Sequence, residues 1–278
     1  MFRTLFLNTF LRSPRWMFLD KQKKRIKYIL SYILSKNPDI IGLSECFGPH
    51  NSKNMRYLLE SNGYKTIFFD DRKFLKVNSG LLLAFKPTWI PIHTTIQHFE
   101  DSKGVDALAN KGFLHVIFKD KTTGKFMNLI LTHLQSNYTR DPITKIRQNK
   151  KSLKQYRKVQ YNQLNQINEY IRKHTSNFPL ILMGDLNIDL DYTDNRIHSM
   201  MKDDFLIRDL KEPTVSKLCK NGCEKEKKID YITKIGEGLK YKGGLKIMGE
   251  NDCKKIIRGK DVDLISDHYA VYQDFSFL

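Results

Sequence analysis

The sequence predicts an α+β fold, and three observations carry that prediction. Apolar runs of strand length recur along the chain, at 2–7, at 40–43 leading to Glu45, and at 64–69, 79–85, 90–98, 112–118, 126–132, 179–184, 229–235 and 269–275. Two segments instead repeat apolar residues at helical spacing: Ile26, Ile29, Leu30, Ile33 and Leu34 within about 20–35, and Val159, Leu164, Ile167 and Ile171 within 159–173. The middle of the chain is strand-rich, with Gly or Pro between its runs.

Each element has local support. Asp20 is a candidate N-cap for the first helix, and Pro38 marks its end because its ring cannot continue the hydrogen-bond ladder. A short helix is expected near 52–61. Residues 139–158 carry Arg140, Lys145, Arg147, Lys150, Lys151, Lys154, Arg157 and Lys158 against the single Asp141, and read as a basic loop leading into the 159–173 helix. Residues 236–262 are rich in Gly and Lys and read as an exposed ribbon or flexible insertion. With no internal repeat and no Pro-, Gly- or Ser-rich linker, residues 1–278 are expected to form a single domain.

Composition narrows the function classes. At 40% hydrophobic and 28% charged residues the chain reads as soluble and globular, and no uncharged apolar run is long enough for a membrane-spanning helix. The net charge of +18 points to a polyanionic partner, nucleic acid or an anionic lipid leaflet, or else to a Lys-rich proteome. Arg3, Asn8, Arg12 and Arg15 interrupt the start, so it does not read as a cleavable signal peptide. Cys46, Cys219, Cys223 and Cys253 lack the spacing of a disulfide framework, which fits a reducing, intracellular compartment. Cys219 and Cys223 offer half of a zinc site, but no second Cys or His pair follows at suitable spacing, and a loop with incidental thiols is the better reading.

The chemistry is written at the ends of the strands. Asn8 follows Leu5-Phe6-Leu7, Glu45 follows Ile40-Ile41-Gly42-Leu43, and His133 follows Leu129-Ile130-Leu131. Asp185 and Asn187 follow Leu180-Ile181-Leu182-Met183-Gly184, and Asp267-His268 opens the last strand. A buried strand that ends in a carboxylate, amide or imidazole delivers that group to the mouth of a sheet, where ligands bind. Together these groups supply what metal-assisted attack on a phosphate ester requires: acidic ligands, an orienting amide and two imidazoles.

Taken singly, each residue has a second reading. Glu45 is either an oxygen ligand for Mg²⁺ or a helix N-cap. Asp185 and Asn187 share one face if the strand continues and can hold a water, yet such residues also form ordinary turns. His268 beside a carboxylate such as Asp230 would have a fixed tautomer and raised basicity, as a general base needs; alone it would be a satisfied surface histidine. His133 either donates to a phosphoryl oxygen or bonds to backbone at its strand end. His93, His98, His115 and His198 lack a matching context and are read as structural.

The ordered set Asn8, Ser44-Glu45-Cys46-Phe47, Thr132-His133-Leu134-Gln135, Gly184-Asp185-Leu186-Asn187 and Ser266-Asp267-His268 resembles the endonuclease/exonuclease/phosphatase superfamily over nearly the whole chain. The stretch Asp106-Ala107-Leu108-Ala109-Asn110-Lys111-Gly112-Phe113 is similar to the Asp-x-Leu-x-Asn-Lys-Gly-Phe element of neutral sphingomyelinases. Thr132-His133-Leu134-Gln135-Ser136 and Gln160-Tyr161-Asn162-Gln163-Leu164-Asn165-Gln166-Ile167 also resemble elements of that branch. The resemblance implies a four-layer αββα sandwich of two mixed, mainly antiparallel sheets flanked by helices. It implies Mg²⁺ as cofactor, with Mn²⁺ or Co²⁺ able to substitute, held by Glu45 with Asn8 close to the same shell. It further implies that Asp185 and Asn187 position water and phosphate, that His268 oriented by Asp230 is the base, and that His133 stabilises the transition state. Asp106 would support a site histidine or the phosphate pocket, Asp267 would help place the second imidazole or approach the metal, and Lys111 would pack its stem.

Two features of the secreted bacterial relatives are absent here. No cysteine stands near Lys103 or Asp141 to form their disulfide clip, and no aromatic hairpin is evident in 236–262 beyond Tyr241. Trp16-Met17-Phe18, flanked by Arg12 and Arg15, is either a membrane-touching tip or, as the better reading, a core contact. The expected activity is Mg²⁺-dependent hydrolysis of a phospholipid headgroup, sphingomyelin to ceramide and phosphocholine. It would act peripherally on an anionic membrane surface, without a transmembrane anchor. The alternative is a Mg²⁺-dependent nuclease or DNA-end-processing phosphodiesterase, like abasic endonucleases or tyrosyl-DNA phosphodiesterases. A basic binding module without catalysis is disfavoured, since no acidic or imidazole position of the set is replaced.

Overall fold

The computed structural model describes residues 1–11, 22–69, 76–137, 149–175, 177–208, 210–215, 227–249, 252, 254–256 and 262–278. The expected Asp20 cap, the Trp16-Met17-Phe18 tip, the Cys219 and Cys223 loop, Cys253, and Arg140, Asp141, Lys145 and Arg147 lie outside those residues.

Two mixed sheets face each other. The first contains β1 (Phe2–Leu11), β2 (Ile40–Cys46), β3 (Lys65–Phe68), β4 (Leu82–Phe85), β10 (Leu239–Ile247) and β13 (Val271–Phe277), in the order β10-β13-β1-β2-β4-β3. The second is β5-β6-β7-β8-β9, from β5 (Trp89–His98), β6 (Gly112–Asp120), β7 (Phe126–His133), β8 (Leu180–Asp185) and β9 (Asp230–Ile235). β1 and β2 are parallel, as are β7 and β8; the other pairs of these sheets are antiparallel. A separate ribbon pairs β11 (Lys254–Ile256) with β12 (Val262–Leu264).

Side-chain alternation explains the layering. In β1, Leu5 and Leu7 pack beneath α1 (Gln22–Lys36) and α2 (Pro49–Ser61), with Ile26, Ile29, Ile33, Met55 and Leu59 supplied by the helices. Phe2 and Phe6 of the same strand turn inward and meet Leu129, Leu131, Ile181 and Met183 of the second sheet. The outer face of that sheet, including Ile130, Leu180 and Leu182, is covered by Leu164 and Ile167 of α3 (Lys150–His174). Each of these buried side chains contributes roughly 1.5–3 kcal/mol of apolar transfer. The layers therefore run helix, sheet, sheet, helix. Gly42 leaves room for side chains of the facing sheet: a Cβ there would stand 2.7 Å from Met183 Cε and 2.8 Å from Leu131 Cδ1.

Three sequence expectations need correction. The helix expected from 159 begins at Lys150, because Asn149 Oδ1 accepts from Ser152 N and caps it, and because Lys and Gln are good helix formers despite the charge. The helix expected at 52–61 begins at Pro49, where a first-turn proline loses no needed hydrogen bond. Within the 236–262 segment, β10 is an edge strand of the first sheet, anchored by Leu239 in the inter-sheet core.

Candidate active site

Parallel pairing sends β1 and β2 to one end of their sheet, and β7 and β8 to one end of theirs. Asn8 joins these two ends: its Nδ2 donates to Glu45 Oε1 at 3.1 Å and to Asp185 Oδ2 at 2.9 Å. The antiparallel partners enter from the same side. Asp230, at the start of β9, pairs in register with Asp185, and His268 lies just before β13, with Ser266 Oγ bonded to Asn8 O at 2.6 Å. Gly184 permits the close pairing of β7 and β8, since a Cβ there would meet the Thr132 carbonyl oxygen at 2.1 Å. Glu45 and Asn187 both have φ of 53°, a left-handed backbone that costs non-glycine residues about 1 kcal/mol or more and clusters at functional sites.

His268 and Asp230 form a tight dyad, with Nδ1 and Oδ2 2.8 Å apart. His268 Nε2 lies 3.9 Å from Asp185 Oδ2, so the imidazole bridges two carboxylates. Burial lowers its proton affinity, but Asp230, Asp185 and Asp267 outweigh that and hold its pKa well above the usual value. His133 is the reverse case. Burial first, then Lys111 and His268, hold it well below the usual value. Its Nε2 faces Asp185 Oδ2 at 3.7 Å and Glu45 Oε1 at 4.0 Å.

The lysine between these groups does more than pack its stem. Lys111 is 5% exposed, and its Nζ reaches Asp106 Oδ2 at 2.8 Å, Leu134 O at 2.8 Å and His133 Nε2 at 3.2 Å. An ammonium can only donate, so His133 Nε2 accepts and the neutral imidazole carries its proton on Nδ1. Asp106 Oδ2 also receives Gln135 Nε2 at 3.0 Å and Ser136 N at 2.7 Å, so it reaches His133 through Lys111. In the sequence the signal for Lys111 was its place between Asn110 and the buried run of β6: a lysine in that setting must satisfy its charge internally.

Asp185 and Asn187 meet through backbone: Asp185 Oδ1 accepts from Asn187 N at 2.8 Å, and Asn187 Nδ2 donates to Leu134 O at 3.1 Å. Asp267 stands close enough to raise the Glu45 carboxyl and the His268 imidazole electrostatically. Glu45 does not cap α2, whose N-cap is Gly48 with no side-chain bond. Cys46 beside it is an inert thiol, pushed up to about 12 by burial.

The carboxylates are perturbed as well. Burial and Asp267 push Glu45 up to about 7, and burial and Asp230 push Asp185 up to about 6. Crowded carboxylates form a set of oxygens that suits a hard divalent cation such as Mg²⁺, while Asn8 turns its amide N–H groups to them and its Oδ1 accepts from Phe10 N at 3.0 Å. Asp185, Asp230 and His268 also present ligand atoms within 4.8 Å of one another, but His268 Nδ1 is already engaged by Asp230 and an imidazole is a poor Mg²⁺ ligand. The residues present therefore fit the cation best on the Glu45 side.

The sequence model of the Endonuclease/Exonuclease/phosphatase family matches residues 17–232. No curated protein sequence matches. Among solved structures, a variant of beta toxin from Staphylococcus aureus with bound magnesium ions superposes with a TM-score of 0.75 at 18% identity, covering 98% of each chain. Sphingomyelinase C from Streptomyces griseocarneus gives a TM-score of 0.71 at 17% identity, again over 98% of each chain. The human Nocturnin catalytic domain with bound sulfate gives 0.64 at 19% identity, covering 100% of this chain and 93% of that one. These likenesses establish the four-layer fold. Among the described residues, no helix is long and apolar enough to cross a membrane.

Proposed function

The chain belongs to the endonuclease/exonuclease/phosphatase family, a group of hydrolases acting on phosphodiester bonds, and on that premise we propose that it cleaves sphingomyelin to ceramide and phosphocholine with Mg²⁺ as cofactor. The observation that carries the chemistry is Asn8, one side chain bonded to a carboxylate from each sheet beside the His268–Asp230 dyad. The lipid assignment is supported by the Asp106–Phe113 stretch, whose Asp106 and Lys111 are joined inside the pocket, and by the likeness to a sphingomyelinase C fold.

Glu45 would hold the cation, with Asn8 and Asp185 beside it. When bound, Mg²⁺ supplies positive charge that polarises a phosphoryl oxygen and offsets the carboxylate field that keeps His268 protonated. Asp230 fixes the His268 tautomer so that Nε2 faces the pocket, where it takes the proton of an attacking water. Asp185, oriented by Asn8 and by the Asn187 backbone, positions that water. Lys111, its charge paired with Asp106, fixes the neutral His133 at the wall of the pocket. This revises the role expected for His133, because its Nε2 accepts from Lys111 and has no proton to donate.

The test is release of phosphocholine from sphingomyelin vesicles by the purified protein, with and without Mg²⁺. Mg²⁺-dependent release supports the reading. Cleavage of a DNA duplex or an abasic oligonucleotide with no phosphocholine release would assign the same chemistry to nucleic acid.

A further inference from the structure

α3 is longer than the sheet it covers. Its 25 residues extend about 37 Å, whereas the six residues of β8 span about 20 Å. The helix is fixed level with the mouth at Gln160, whose Nε2 donates to Gln135 O at 2.8 Å and to Asn187 O at 2.9 Å. The turns before Gln160 therefore overhang the active-site end by about 15 Å.

That overhang is basic. Lys150, Lys151, Lys154 and Lys158 are exposed, and none of them has a carboxylate partner among the described residues. Lys150, Lys154 and Lys158 recur every four residues and share one face. Tyr156, buried on the other side, packs against the short helix Gly104–Leu108: a Cβ at Gly104 would lie 2.8 Å from its Oη, and Lys103 Nζ stands 5.8 Å from its ring centre. The same short helix carries Leu108, 53% exposed and two residues from Asp106. A recess of about 310 Å³ opens between Lys103 and Lys158. Of the nearby acids, Asp101 is engaged by Asn162 Nδ2 at 2.8 Å, and Glu100 is exposed.

We propose that this edge, Lys150, Lys154 and Lys158 with Lys103 and Leu108, docks the protein on an anionic lipid surface with the active-site mouth turned toward the bilayer. The assignment rests on the lipid reading above and gives it a surface. A helix end that projects past the mouth reaches a leaflet ahead of it, and the lysines it carries add their attraction to anionic headgroups. The exposed leucine selects lipid over nucleic acid, because an apolar side chain gains by entering the headgroup boundary and gains nothing from a phosphate backbone.

The experiment compares the full-length protein with the triple variant Lys150→Gln, Lys154→Gln, Lys158→Gln, and separately with Leu108→Ser. Lysine and glutamine have similar helix propensity, so α3 is retained. Co-sedimentation is measured with phosphatidylcholine vesicles with and without phosphatidylserine, beside Mg²⁺-dependent turnover of a soluble phosphodiester. The triple variant should lose binding to phosphatidylserine vesicles by about 100-fold, roughly five-fold per lysine, while soluble turnover stays unchanged. Leu108→Ser should weaken binding to both vesicle types by a smaller factor. Unchanged vesicle binding in both variants would overturn the proposal, as would loss of duplex-DNA binding by the triple variant with vesicle binding intact. Because binding is read without catalysis, a protein that docks through this edge yet leaves sphingomyelin intact would refute the substrate and keep the surface.

Discussion

The two ends of β1 face opposite electrostatic conditions. At its start, Arg3 forms a fork with Asp274, Nε to Oδ1 at 2.6 Å and Nη2 to Oδ2 at 2.9 Å, while its backbone N donates to Asp39 Oδ2 at 2.7 Å. Lys86 adds a second contact to Asp39 at 3.0 Å. The hydrogen bond from Arg3 holds the Asp274 carboxyl below the usual range. Toward the other end of the strand, Asn8 lies between Glu45 and Asp185, both pushed above that range by burial. At the first end the protein answers its own acids. At the second it collects acids and answers them with one lysine and the histidines, an arrangement suited to a bound cation and useful for catalysis.

Breaking the dyad should have the largest effect. His268→Ala is expected to lower turnover on the order of 10³-fold, since it removes a positioned proton acceptor, and to lower the melting temperature by leaving buried Asp230 without its partner. Turnover within about 10-fold of wild type in the folded variant would make the residue structural. Mg²⁺ should sharpen the contrast between the ends of the strand. A carboxylate whose folded pKa is raised adds stability below its unfolded value, about 4, and loses it as pH rises through the folded value. With Glu45 at about 7 and Asp185 at about 6, the metal-free protein should weaken across that window. Saturating Mg²⁺ should therefore raise the melting temperature more at pH 8 than at pH 5, and Glu45→Gln should remove most of the increment.

The smallest effect belongs to the paired end. Arg3→Ala should cost about 1 kcal/mol, because the pair is partly exposed and screened, and should leave turnover unchanged. Asp274 has a lowered pKa, so this contribution is present above its unfolded value, about 3.9, and is lost as pH falls through the folded value. Denaturant melts of the variant and wild type at pH 7 and at pH 2.5 should differ at the first and converge at the second.

The pocket was legible in the sequence because each of its groups follows or precedes an apolar run, and the parallel pairing of β1 with β2 and of β7 with β8 turns that local pattern into one end of the molecule. The inter-sheet core was legible as strand-length runs. What the sequence hid were long-range electrostatics and helix length. Lys111 looked like a packing residue because its partners Asp106, His133 and Leu134 converge only when β6 and β7 pair. The first turns of α3 read as a loop because their charge masks good helix propensity, and the Asn149 cap that starts them is a single side-chain bond. His115, read as structural, is buried with Nε2 on Asn128 Oδ1 at 2.9 Å and Nδ1 on the Tyr170 hydroxyl at 3.1 Å, away from the mouth.

Anomalous diffraction from crystals soaked in Mn²⁺ tests the convergence of the two sheets on one cation most directly. The predicted result is a peak in contact with the Glu45 carboxylate, beside Asn8 and Asp185, that disappears in Glu45→Gln. A peak on Asp230 and His268 that leaves Glu45 untouched, or no peak in this pocket at all, would contradict it.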